Sequence, residues 1–264
     1  NANNRTTIPP HELDIVIPSK SVAIEVNGCY WHSELAGKGR SYHLNKTEQC
    51  EQRGIALYHI FDIEWMRSPE LVQSRLLSKI ANTTTRIYAR RCSLQTISST
   101  QANEFVGQHH VQGPRPARYN YGLIHDDELV AVMTLSSHQK YQYELIRFCN
   151  KVGTTVVGGA SKLFAAFLSE GSPTNVISYS DRRWGTGNVY SQLGFEYDGA
   201  SQPNYWYFNR NYITKLYSRI QFQKHKLAKK LPHFDPTKTE WENMVANGYD
   251  RIWDCGNTRW VWTA

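Results

Sequence analysis

The sequence predicts an α/β (α+β) chain of two domains with a basic C-terminal extension. Three observations point there. Short apolar runs alternate with segments of helical period along most of the chain. At 264 residues the length is comfortable for two domains. A polar stretch at 82–85 (Asn-Thr-Thr-Thr) reads as a linker between them. The expected division is 1–82, 86–210 and 211–264. A hydrophobic content of 40% with 20% charge is ordinary for a globular protein. No apolar run approaches the roughly 20 residues a membrane helix needs. Five widely spaced cysteines without a CxxC pair suggest reduced thiols and a cytoplasmic protein. The chain starts with Asn rather than Met, so a segment upstream is expected to be missing.

The elements follow in order. ELDIVI and VAIEVN flank a Pro-Ser-Lys turn and predict a hairpin over 12–27. A helix is predicted over 41–53, between Ser41 as N-cap and Gly54 as C-cap. The apolar run 55–61 reads as an interior strand and 69–81 as a helix opened by Pro69. Strands are expected at 86–97, 119–125, 128–136 and 143–149, with a helix at 99–108 after the first. A helix at 159–170, a strand at 175–180, a short helix at 187–193 and an aromatic strand at 203–208 come next. A basic helix over 212–230 and a small strand pair close the chain.

Charge is uneven. The net charge is +7, and Lys215–Lys230 carries six basic residues and no acid. That slope suits a polyanionic partner, duplex DNA foremost. Lys224, Lys226, Lys229 and Lys230 are the expected backbone contacts, spaced around an apolar Phe222 and Leu227. In Ser180-Asp-Arg-Arg-Trp-Gly185, Arg182 and Arg183 beside an indole are further candidates for DNA contact; an Arg-Asp-stabilised loop is the alternative.

The hairpin holds the sharpest signal. With the turn centred on Ser19–Lys20, Asp14 faces Glu25 and Glu12 faces Asn27, on one side of the pair. The other side, Leu13, Ile15, Ile17, Val22, Ile24 and Val26, is apolar and expected to be core. Opposed acids are destabilising unless a cation lies between them, and oxygen ligands favour Mg²⁺ or Mn²⁺. Asp14 and Glu25 are therefore the expected metal ligands. His32 is placed to take a proton from an attacking water, and Tyr30 and Trp31 to stack on or wedge between bases.

ELDIVIP…VAIEVNGCYWHSE resembles the nuclease domain of phage homing endonucleases of the EDxHD type, relatives of the very short patch repair endonuclease (Vsr) in the PD-(D/E)XK superfamily. The resemblance covers about 5–81. It implies a metal-dependent DNA endonuclease that hydrolyses phosphodiester bonds. Asp14 and Glu25 would be its acids, Asn27 would stand in the superfamily lysine's place, and His32 would be the base. Asp62 or Glu64 would be a late acid, and His43 and Lys46 would face phosphate. Two departures stand out. Cys29 lacks the family's zinc-ligand partners in Ser33-Glu34-Leu35-Ala36, so no zinc is expected. The family's first Glu comes from a helix before the hairpin, expected here to be absent or truncated, so that either Glu12 substitutes for it or the chain is a fragment of weakened activity.

In the second half, Thr155-Val-Val-Gly158-Gly159-Ala160 opens a helix, and a glycine turn there offers backbone N–H groups to a pyrophosphate. Tyr190-Ser-Gln-Leu-Gly-Phe195 stands downstream. Over 86–208 these segments resemble GNAT acetyltransferases. The resemblance implies that Gly158, Gly159 and Ala160 would contact acyl-CoA and that Tyr190 would be an acid. Thr155 stands where the loop motif usually has Arg or Gln. The expectation is a GNAT-like scaffold that attends DNA without catalysis, with acyl-CoA not favoured. The primary reading is thus a Mg²⁺-dependent endonuclease. The alternatives are an acyl-CoA-dependent modifier of nucleic acid and a non-catalytic DNA-binding protein. The oligomeric state stays open, a dimer included.

Overall fold

The computed structural model describes residues 2–81 and 84–264. In chain order, strands β1 (Ala2–Ile8), β2 (His11–Ile17) and β3 (Val22–Asn27) precede helix α1 (Tyr42–Glu51). Strand β4 (Ala56–Phe61) and helices α2 (Asp62–Arg67) and α3 (Pro69–Ile80) follow. Next come β5 (Thr85–Tyr88), β6 (Ser93–Thr96), α4 (Ser99–His109), β7 (Tyr119–His125), β8 (Glu128–Ser137), β9 (Tyr143–Asn150) and β10 (Thr154–Val157). Helix α5 (Gly159–Gly171), β11 (Asn175–Asp181), α6 (Asn188–Gln192), β12 (Glu196–Ala200) and β13 (Tyr205–Asn209) continue the chain. It ends with β14 (Tyr217–Ser218), α7 (Lys224–Leu227), α8 (Glu240–Ala246), β15 (Tyr249–Trp253) and β16 (Asn257–Thr263). The described residues fall into two compact units that interleave in sequence, where three contiguous stretches were expected. The first lies within Asn1–Arg67, Asp181–Gly185 and Ser201–Asn257, and the second within Ser68–Ser180, Thr186–Ala200 and Thr258–Ala264.

The first unit contains a four-stranded sheet in the order β1-β2-β3-β4, with β4 parallel to β3. The hairpin has the register its turn demands, Ile15 facing Ile24 and Ile17 facing Val22. Its burial meets the expectation only in part: Leu13, Val22 and Ile24 are buried, but the core is shared with the acid-bearing side. Helix α1 covers the side that carries the acids, where Val16, Ala23, Cys50 and Leu57 pack together. On the other side Ile15 is 39% and Val26 49% exposed. The acid-bearing face can be buried because α1 brings polar partners to it, Lys46 above all. A second sheet, β14-β13-β15, is antiparallel and packs Tyr207 against Phe222, Leu227, Leu231 and Met244.

That cluster also dissolves the basic helix expected over 212–230. The segment is instead β14, a 3₁₀ turn at Arg219–Phe222 and the single turn α7. Phe222, Leu227 and Leu231 all reach the same core, at intervals that no single helical face provides.

The second unit is built on a seven-stranded mixed sheet in the order β12-β16-β11-β9-β8-β7-β6. Helix α5 seals one face, placing Leu163, Phe164 and Phe167 among Leu123, Met133, Leu135, Leu145 and Val176. Helix α4 packs Ala102, Phe105 and Val106 against Val132 and Cys149. A capping box between Ser98 and Gln101 fixes its start. The long strand expected over 86–97 is two short ones separated by a 3₁₀ turn at Ala89–Arg91. The first of them, β5, pairs in parallel with β10.

The fold is α/β with a large mixed sheet. A nuclease-like N-terminal domain of PD-(D/E)XK type, expected over 1–82, is corrected here. The hairpin is present, but β1 occupies the place of the family's leading helix, and residues 181–185 and 201–257 complete the unit. Among the described residues no helix is long and apolar enough to cross a membrane.

Candidate functional site

In the second unit, β9 and β11 run parallel and pair only at Tyr143–Val176, Glu144–Ile177 and Leu145–Ser178. Beyond Leu145 the ladder stops although both strands continue, β9 to Asn150 and β11 to Asp181. Such a split leaves a strand edge that an extended ligand can bond, with side chains already at part of it: the Ser178 hydroxyl donates to the Leu145 carbonyl at 2.8 Å. Leu145 and Val176 face the sealed core under α5. Glu144 and Tyr179 stand on the opposite side by strand alternation. Glu144 is only 7% exposed and is held bidentately by Arg115, at 2.6 and 2.9 Å. Arg147 donates to the Gly113 and Ile146 carbonyls. The Tyr190 hydroxyl donates to the Tyr179 carbonyl at 3.3 Å, and its ring stacks on Trp260. Burial pushes the Tyr190 phenol above its ordinary range, so it keeps its proton at neutral pH.

The chain leaving β9 leads into the glycine turn. Gly158 is the N-cap of α5 in the left-handed region, at φ 77°. The first bond back along the helix runs from Lys162 N–H to the Gly158 carbonyl. The N–H groups of Gly159, Ala160 and Ser161 therefore lack a partner four residues back. A Cβ on Gly158 would lie 3.7 Å from Ala89, so the 3₁₀ turn adjoins the helix start. Lys162 ties that turn down through the Ala89 and Cys92 carbonyls. Arg90 and Arg91 in the same turn are exposed. Backbone donors, the positive helix end and two exposed guanidinium groups fit a pyrophosphate-bearing ligand such as an acyl-CoA. Thr155 takes no part in that cradle: its hydroxyl bonds Thr84.

In the first unit the hairpin residues do come together. The Asp14 N–H donates to Glu25 at 3.1 Å, and the Val26 N–H to Asp14 at 2.7 Å. Glu25 is 1% exposed and paired with the buried Lys46 at 2.5 Å. Burial pushes its carboxyl up, and the Lys46 ammonium pulls it only partly back. His32 lies 3.4 Å from His43, their rings stacked. Burial lowers the pKa of His32 to about 4 and that of His43 to about 3. Asn27 contacts His59, which contacts Thr47.

Other expected site residues are dispersed. Glu12 pairs with Arg5. Asp62 accepts from the Cys29 and Ile63 N–H groups, and Glu64 from Phe61 N–H and Arg183. Arg183 is buried over the Phe61 ring between Glu64 and Asp181, and Arg182 pairs with Glu48 and Glu51. Tyr30 and Trp31 are exposed, Trp31 at 72%, with Arg210 over the Tyr30 ring. Lys224, Lys229 and Lys230 are exposed, while Lys226 bonds Ile220 and Gln223.

Sequence reasoning misses Glu144, Arg115 and Tyr179. The signal lies in Tyr143-Glu-Leu-Ile-Arg-Phe148, where Glu144 and Arg147 interrupt an apolar strand.

No protein-family model matches the chain, and no curated protein matches it. Solved structures similar to it include acetyltransferases. One of the GNAT family from Bacillus cereus is 10% identical at a TM-score of 0.35, over 65% of this chain and 96% of its own. A Bacillus subtilis acetyltransferase in complex with CoA is 12% identical at 0.36, over 66% and 98%. The ribosomal-protein-S18-alanine N-acetyltransferase of Escherichia coli is 10% identical at 0.37, over 65% and 93%.

The geometry of the hairpin corrects the primary reading. The Mg²⁺-dependent DNA endonuclease of homing-endonuclease type gives way, and with it the hydrolase chemistry and the Mg²⁺ or Mn²⁺ ion. Among the described residues no group of three or more His, Cys, Asp or Glu side chains is placed to hold a metal ion. The cation that the opposed acids require is the Lys46 ammonium itself, together with two backbone N–H donors.

Proposed function

We propose that this chain is an acyl-CoA-dependent acyltransferase that works on nucleic acid. The observation that carries the reading is the β9–β11 split leading into the glycine turn of α5. The split offers backbone groups to an extended pantetheine-like arm. The turn offers N–H groups to its pyrophosphate. Bound acyl-CoA supplies an acyl group already activated as a thioester. Glu144 stands on the open side of the split, able to take the proton an acceptor sheds. Tyr190 keeps a proton to give to a departing thiolate.

Duplex DNA is the partner this reading assigns. The net charge of +7 supports it. So do the exposed Tyr30 and Trp31 beside Arg210, which suit bases and phosphates. Lys224, Lys229 and Lys230 add sites for the backbone.

Incubation of the full chain with acetyl-labelled acetyl-CoA and duplex DNA tests the proposal. Label entering the DNA fraction is the expected result. Label that stays on CoA throughout counts against it.

A further inference from the structure

At the β9–β11 split only one side is open to a second reactant. The α5 side is filled by Leu145, Val176, Phe164 and Phe167. The opposite side presents Glu144 under Arg115, with Tyr179 41% exposed. Two loops border this side, the one from α4 to β7 and the one from β8 to β9. They meet where Tyr119 faces Leu135 and Ser137 faces Tyr143. Between Phe105 and His125, and again between Leu129 and Tyr143, the chain has no Asp or Glu. The loops carry Arg115, Arg118 and Lys140, all exposed. The Arg118 and Lys140 cations lie over the Tyr119 and Tyr141 rings, at 5.5 and 5.3 Å. Those rings hold the two exposed cations at the border.

Arg115 is the unusual member. Its side chain is 51% exposed, yet both terminal nitrogens grip a carboxylate that is 9% exposed. The guanidinium fork binds phosphate in the same bidentate geometry as carboxylate. A phosphate arriving from solvent therefore competes for Arg115 on its exposed side. Once Arg115 turns to the phosphate, Glu144 loses its bidentate partner, and its carboxylate is free to accept from an acceptor's N–H or O–H. A cationic acceptor would meet Arg115, Arg118 and Lys140 as like charges.

We propose that the open side of the split accepts a nucleic acid through its phosphate backbone, with Arg115 as the residue that reads the phosphate and thereby frees Glu144. This rests on the acyltransferase reading above. The proton of the acceptor's attacking amine or hydroxyl passes to Glu144 as the new acyl bond forms and the thioester C–S bond breaks. The thiolate takes its proton from Tyr190.

The test measures duplex binding by fluorescence anisotropy over a salt series, beside CoA binding by calorimetry. Arg115→Gln is expected to weaken duplex binding and to make the log-affinity against log-salt slope shallower by about 0.9. CoA binding should be unchanged. Arg115→Gln/Glu144→Gln, which leaves no unpaired buried carboxylate, should show the same slope change. Glu144→Gln should do the opposite: with Arg115 released, duplex binding tightens several-fold while label transfer falls. A merely structural Arg115–Glu144 pair would not move the slope. A slope unchanged in both Arg115 variants, with CoA bound normally, overturns this inference alone. Polyglutamate of matched charge competing as well as duplex overturns it too, because carboxylates would then suffice. Failure of the wild type to bind CoA overturns the acyltransferase reading as well.

Discussion

Lys46 and Glu25 show how a residue's partner decides what its chemistry can be. Opposed acids in a hairpin require a cation, and a lysine on the covering helix supplies it. Both side chains are nearly inaccessible, so breaking the pair is costly. Lys46→Met should lower the unfolding free energy by about 3–5 kcal/mol in urea, since it strands a buried carboxylate. Lys46→Met with Glu25→Gln should recover most of that loss. Equal stability of the single variant and the wild type would show that Glu25 is solvated. The histidines beside the pair give a pH signature. Burial holds His32 near 4 and His43 near 3, below their ordinary 6.5. Below pH 6.5 the unfolded chain thus binds more protons than the folded one. Their contribution is whole above pH 6.5 and shrinks as pH falls toward 4. In thermal melts, His32→Phe should flatten the loss between pH 6.5 and 4. A slope identical to the wild type would remove His32 from this pH dependence. None of this is legible in the sequence beyond the facing of Asp14 and Glu25, because the partner comes from α1 and pairing across elements leaves no local periodicity.

Among the elements, those fixed by local rules are readable. The hairpin register follows from its turn, α3 from Pro69, α4 from its capping box and α5 from its glycine turn, whereas Ser41 makes no side-chain cap on α1 and its C-cap is Gln52 rather than Gly54. What the sequence hides is set by tertiary packing. The stretch 212–230 has helical composition, but Phe222, Leu227 and Leu231 are drawn to the Tyr207 cluster and the helix is broken. β1 escapes a sequence reading because its polar residues mask a strand that exists through pairing with β2. The broken helix changes what the lysines can do. Lys224, Lys229 and Lys230 are exposed, whereas Lys226 is bonded within its own turn. Replacing the three exposed lysines with alanine should make the duplex salt slope shallower by up to about 0.9 for each phosphate that is no longer neutralised. Lys226→Ala should instead act mainly on the stability of that turn. A slope unmoved by the triple variant would take this segment off the DNA surface. The glycine turn belongs to the same scale. Gly158 sits at φ 77°, so Gly158→Val should cost about 1–3 kcal/mol of stability and weaken CoA binding.

At the scale of the whole molecule, the sequence carries two competing signals, an acid-rich hairpin and a glycine turn before a helix. The first draws the eye because its residues are the more reactive types. The structure shows the hairpin acids balanced by Lys46. It shows the glycine turn on the crossover between two parallel strands whose pairing stops after three residue pairs. A strand split leaves no mark in composition or periodicity, since both strands read as ordinary apolar runs. The central claim is that this split and turn hold an acyl-CoA. Titration calorimetry of the full chain with acetyl-CoA, run beside Gly158→Val, tests it most directly. Saturable binding of one acetyl-CoA per chain, weakened at least tenfold in the variant, is the predicted result. Absence of binding by the wild type up to millimolar acetyl-CoA would contradict it.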